Sequence, residues 1–203
     1  MGLSAIGVFD VSTNNRVHSL SRNQRNRTLT ARLNLRFLFA RPTHFLALGF
    51  GAGLAPVAPG TFGTLVAWPL FWLLQPRVGA TGLLVIIATL YVFGIWICER
   101  TGRDLGVEDH KAIVWDEIVA FLLVLFFTPR TLPWQCIAFV LFRLFDALKP
   151  GPIRLIEARF RGGFGVMVDD LAAAFFTLLC LTAIMLLVRA LGGPLGLGTV
   201  SAG

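Results

Sequence analysis

The chain has 203 residues, 56% of them hydrophobic and only 14% charged, with a mean hydropathy of +0.75, whereas a soluble domain carries about 25% charge. That excludes an ordinary soluble enzyme and makes the bilayer the solvent. The net charge of +7 would suggest nucleic acid, but seven arginines (Arg16, Arg22, Arg25, Arg27, Arg32, Arg36 and Arg41) stand ahead of Phe45 against the single acid Asp10, so most of the charge is in one tail and no nucleic-acid partner is expected.

In chain order, residues 1–44 come first. Their polar stretch Asn14 to Arg27 cannot bury enough apolar surface to offset its ordering entropy, so this basic tail is expected to be disordered or to lie on anionic headgroups. Met1 to Val8 is too short, and lacks the basic start, for a cleavable signal peptide. Phe45 to Gln75 is hydrophobic but interrupted by Gly49, Gly51, Gly53, Pro56, Pro59, Gly60 and Gly63, which a continuous helix would not tolerate; one crossing is assigned to it, with a re-entrant or interfacial first part. Gly79 to Cys98 and Leu171 to Leu191 have spanning length and no charge before their ends. Between them, Ala112 to Phe127 carries Asp116 and Glu117 near its start, and Pro133 to Leu148 carries Arg143 and Asp146 near its end. The expected fold is an all-α polytopic helix bundle of about five spans: a membrane-embedded domain at 45–191, between the tail and a short Gly-rich segment at 192–203. Cys98, Cys136 and Cys180 lie in apolar runs without metal-ligand spacing and read as small core residues.

Alternate connections divide the basic residues unevenly. One side receives the tail, Glu99 to Lys111 and Lys149 to Arg161, with 14 Lys and Arg; the other receives Arg77, Arg130 and Arg189. The positive-inside bias then places the N-terminus in the cytoplasm. In that topology Asp116 and Glu117, Asp146, and Asp169 and Asp170 all meet the cytoplasmic surface, as do the Gly/Pro segment and the connection Asp104 to His110. Carboxylates at a helix centre cost roughly 2.5–3.5 kcal/mol each, so five of them must be shallow, paired or bound to a cation. An oxygen-only set without paired His or Cys suits Mg²⁺ or Mn²⁺ rather than Zn²⁺. Arg143, Asp146 and Lys149 recur at i, i+3 and i+6, which puts two cations beside the acids, as phosphate recognition requires. His110, next to Asp109, is a candidate proton shuttle or a plain loop residue.

Other chemistries lack their signatures: no Cys is followed six positions later by Arg, and there is no Asp-x-Asp pair and no Walker loop. A cation-coupled small-solute transporter would also use buried carboxylates and a broken helix, and stands as the alternative. It is weakened by acids at one surface instead of the midplane.

Four ordered motifs carry a specific resemblance: Gly51 to Thr64 (GAGLAPVAPGTFGT), Ile113 to Glu117 (IVWDE), Phe142 to Pro150 (FRLFDALKP) and Gly162 to Asp170 (GGFGVMVDD). Together they resemble the phosphatidylglycerophosphatase A family over about Phe45 to Leu191. Gly151 stands where an aromatic would be expected, and Ala120 where a glycine would. The resemblance implies a Mg²⁺-dependent, multi-pass phosphatase of the bacterial inner membrane, hydrolysing phosphatidylglycerophosphate among membrane lipids with its active site cytoplasmic. It implies Asp116, Glu117, Asp146, Asp169 and Asp170 as catalytic and metal-binding, with His110 catalytic and Asp104 and Asp109 supporting. Arg143, Lys149, Thr61 and Arg154 are the expected substrate contacts.

Overall fold

A computed structural model describes residues 33–107, 109–149, 151 and 159–192; the expectations for residues 1–32, for Arg154 and for the segment beyond 192 lie outside them. Among the described residues all regular structure is helical. Helix α1 (Leu35–Ala40) is capped by Asn34, whose side chain accepts from the Phe37 N–H at 2.9 Å. Helix α2 (Pro42–Ala47) opens on a proline, where the missing N–H is harmless. The end of the stretch assigned to the tail, residues 33–44, is therefore folded. His44 is buried, stacks on Phe37 with ring centroids 4.0 Å apart, and places Nε2 2.9 Å from an Asp104 carboxylate oxygen that also accepts from Arg41 at 2.9 Å.

A 3-10 segment (Gly49–Leu54) follows, with left-handed backbone at Phe50 (φ 60°) and Gly51 (φ 104°). Ala58 (φ 48°) is also left-handed, immediately before helix α3 (Pro59–Leu105) begins. The expected break is thus confined to Gly49–Ala58, and Gly60 and Gly63 lie inside a helix. Their reason is close approach: a Cβ at Gly63 would fall 2.6 Å from Val114 Cβ.

Helix α3 is divided at Gly79 (φ 66°, ψ −176°). Gly63, before the break, packs on Val114, and Gly94, beyond it, packs on Trp115 and Met167. Two positions about equally far from Gly79 meet neighbouring residues, so the two arms fold back on each other as a hairpin. Val114 leads into helix α4 (Trp115–Phe127). Helix α5 (Leu132–Leu148) runs antiparallel to the first arm, since Trp68 Nε1 donates to Gln135 Oε1 at 3.0 Å while Arg143 reaches Thr64. Helix α6 (Gly162–Ala190) runs antiparallel to the second arm, Gly163 facing Ile95 and Glu99 and Met167 facing Gly94. Helix α4 runs parallel to the first arm, Val114 meeting Gly63 and Phe121 meeting Trp68, so among the described residues five helical passes alternate in direction around buried Phe121, Leu122, Leu125 and Phe142.

Among the described residues, two helices, α3 and α6, are long and apolar enough to cross a membrane. Their outward faces expose Trp72, Val85, Val92, Trp96, Phe175, Leu179 and Leu186, an apolar surface that suits hydrocarbon and not water. With 13 residues, α4 is about 20 Å long, short of the roughly 30 Å of a hydrocarbon core. Helix α6 starts at Gly162, so Asp169 and Asp170 lie two turns inside it instead of preceding it.

Candidate active site

Three acidic helix segments, from α4, α5 and α6, converge at one end of the bundle. Val114 N–H donates to Ala47 O at 2.9 Å and Trp115 Nε1 to Leu90 O at 3.2 Å, which fixes the entry of α4. Asp116 and Glu117 follow in its first turn, where aligned N–H dipoles favour negative charge. Asp146 and Arg143, one turn apart on α5, are joined at 2.7 Å. The same guanidinium nitrogen reaches Glu117 Oε1 at 3.3 Å and Thr64 Oγ1 at 3.4 Å. Lys149 ends α5 in a left-handed conformation (φ 41°) and pairs with Asp169 of α6. Asp170, the next residue, turns about 100° away on the helix and is buried with Asp116.

These groups surround a cavity of about 260 Å³, lined by six acidic residues and three basic ones. Three negative charges are left over. One carboxylate oxygen each from Asp116, Glu117 and Asp170 can be chosen so that all three lie within 4.8 Å of one another. Asp116 Oδ1, Glu117 Oε2 and Asp170 Oδ2 are buried without a hydrogen-bond partner among the described residues. Buried carboxylate oxygens left unpaired are costly, and three converging hard-oxygen donors with residual negative charge fit a hard divalent cation.

The close packing depends on small residues as much as on charged ones. A Cβ at Gly60 would fall 2.9 Å from Glu117 Cδ and 3.1 Å from Arg143 Nη2. Gly163, in the first turn of α6, donates its N–H to Glu99 Oε2 at 2.6 Å, so Glu99 of the second arm caps the helix that carries Asp169 and Asp170. The Gly162–Gly165 stretch is thus the first turn of α6.

The other expected residues are distributed differently. Asp109 and the unforeseen Lys111 line the cavity, whereas Thr61 does not; Thr64, one turn further along α3, is the threonine that reaches Arg143. His110 lines an adjoining groove of about 1220 Å³. It is buried, its Nδ1 accepts the Ala112 N–H at 3.1 Å, and burial, reinforced by Lys111, holds its pKa below the ordinary imidazole value. The lone pair on Nδ1 and the lowered pKa agree on a neutral ring. Asp104 is engaged elsewhere, with His44, Arg41 and, at 3.8 Å, Arg100. Glu99 and Lys111 lie in none of the four motifs, and Gly60 and Thr64, inside the first motif, show their part only through their contacts with Glu117 and Arg143.

Comparison with known proteins adds an independent line. Residues 45–185 match the family model described as phosphatidylglycerophosphatase A. A phosphatidylglycerophosphatase A from Haemophilus influenzae is 44% identical over 145 residues, covering 70% of this chain and 88% of the relative. One from Escherichia coli K12 is 41% identical over 140 residues, covering 68% of this chain and 80% of the relative. No solved structure matches.

Proposed function

The chain belongs to the phosphatidylglycerophosphatase A family, and from that premise we propose that the acid-lined cavity hydrolyses the terminal phosphomonoester of phosphatidylglycerophosphate, yielding phosphatidylglycerol and phosphate. The observation that carries the reading is the trio of buried, unpartnered carboxylate oxygens on Asp116, Glu117 and Asp170, set beside Arg143 and Lys149.

Asp116, Glu117 and Asp170 would hold Mg²⁺, one ion or two, with Asp146 and Asp169 completing the acidic wall. When bound, Mg²⁺ supplies positive charge for the phosphate oxygens and makes water a better nucleophile. The chain's own part is to orient and neutralise. Glu117 and Asp146 aim the Arg143 guanidinium, and Asp169 aims the Lys149 ammonium, so both cations are held at the cavity before substrate arrives. Water forms the new P–O bond, the bond to the glycerol oxygen breaks, and that oxygen leaves with a proton. An aspartyl-phosphate route would need one cluster oxygen as nucleophile, whereas the water route leaves all three for the cation.

The site lies at the cytoplasmic face of a bacterial inner membrane crossed five times. The alternating helical passes, the convergence of the acids at one end, and the 14 to 3 division of basic residues support this reading together. The transporter alternative lacks comparable support, since both relatives carry the name of a phosphatase. The test is phosphate release from phosphatidylglycerophosphate by the purified chain in detergent: turnover with Mg²⁺ that stops with EDTA is expected, and metal-independent turnover, or none from folded protein, overturns the reading.

A further inference from the structure

The acid cavity is not isolated. Pro59, Asp109 and Lys111 line both it and the 1220 Å³ groove, and Leu35, Leu54 and Ala55 line both that groove and a third, apolar one of about 780 Å³ beneath α1 and the 3-10 segment. The path therefore changes character along its length. It starts acidic with two aimed cations, passes Lys111 and Arg36, and ends on Leu38, Phe39, Phe62 and Leu65. Lys111 and Arg36 are exposed and make no ion pair with any described residue. Arg36 lines only the groove, and Arg143 and Lys149 line only the acid cavity, so Lys111 is the lysine or arginine among the described residues that lines both chambers.

We propose that Lys111, assisted by Arg36, binds the phosphodiester of the lipid substrate and so selects phosphatidylglycerophosphate over lipids whose only phosphate is a monoester, while one acyl chain continues into the apolar groove. The inference rests on the function proposed above. A substrate of that class carries two phosphates separated by a glycerol, and the polarity sequence of monoester, diester and acyl chain follows the sequence of chambers. Phosphate is recognised by fixed cations, and an acyl chain by continuous apolar wall. The diester is retained in the product, so Lys111 contributes binding that is equal before and after the chemical step. Such uniform binding appears in KM and not in kcat.

The experiment uses the full chain in neutral-detergent micelles, where no other anionic lipid is present. Lys111→Met is expected to raise KM for phosphatidylglycerophosphate about tenfold with kcat little changed, and to weaken binding of phosphatidylglycerol, measured by native mass spectrometry, by a similar factor. Lys111→Arg should restore both. Unchanged KM and unchanged product binding overturn the proposal, as does a fall in kcat at constant KM. Product binding is read without turnover: a chain that binds phosphatidylglycerol through Lys111 yet hydrolyses nothing refutes the phosphatase reading and leaves this one standing. Leu65→Trp, which fills the apolar groove, should raise KM for a long-chain substrate and spare a short-chain one; equal KM for both overturns the acyl-chain placement.

Discussion

Gly60→Ala is the sharpest test of the packing that shapes the cavity. Gly60 lies in the first turn of α3 and its φ is not in the left-handed region, so alanine fits the backbone. What it lacks is room: the new methyl would lie 2.9 Å from Glu117 Cδ, against about 3.5–4.0 Å for carbons at optimal separation. The carboxyl carbon must therefore retreat by roughly 0.6–1 Å, and Glu117 is also held by Arg143. A misplacement near 1 Å costs about 100-fold in turnover. Stability should change far less, because overpacking of about 1–3 kcal/mol is partly offset by alanine's helix propensity of up to about 1 kcal/mol. The assay pairs thermal unfolding in detergent with phosphate release. Gly163→Ala is the contrast: its methyl would meet the Glu99 backbone N at 2.7 Å, backbone that cannot rotate away, so folding should suffer first. Gly60→Ala with wild-type turnover and normal Mg²⁺ activation would refute the placement of Glu117 in the reacting centre.

Asp170→Asn removes a charge from the trio; turnover should fall by at least about 100-fold, and residual activity should need more Mg²⁺ for half-activation, with wild-type Mg²⁺ dependence counting against a ligand role. Lys149→Met removes the cation paired with Asp169, so substrate binding or turnover should fall while the Mg²⁺ concentration for half-activation stays level or drops; a rise as large as that of Asp170→Asn contradicts the division of roles. Reporter fusions after Arg103 and Arg159 should read cytoplasmic and those after Arg77 and Arg130 periplasmic, and a periplasmic signal at Arg159 would separate Asp146 from Asp170 and dismantle the shared face.

Carboxylates in an apolar chain were legible because hydrocarbon makes their cost large: Asp116, Glu117, Asp146, Asp169 and Asp170 stand out against their runs without any knowledge of contacts. The helical passes were legible for the same reason, although their ends were not. Apolar runs record where lipid begins, and helices continue past that boundary wherever backbone bonds can still form. Hence α6 begins at Gly162 instead of Leu171, and the second arm reaches Leu105, carrying Glu99 and Asp104 into partnerships with Gly163 and His44.

Glycine was the ambiguous letter. The same residue serves at Gly51 for a left-handed φ and at Gly60 for the absence of a side chain, and a sequence records only that glycine is there. The two uses differ in their consequence for the site. A turn glycine moves the chain, whereas Gly60 lets the first arm approach Glu117 closely enough for Arg143 to bridge Glu117, Asp146 and Thr64 at once. That bridge bears on which charges are left over: Arg143 and Lys149 pair with Glu117, Asp146 and Asp169, two cations against three carboxylates, so one uncompensated charge stays with that group while the other two lie on buried Asp116 and Asp170. The residual charge marks where a divalent ion would be held, and in this chain small-residue packing shapes that place together with the acids.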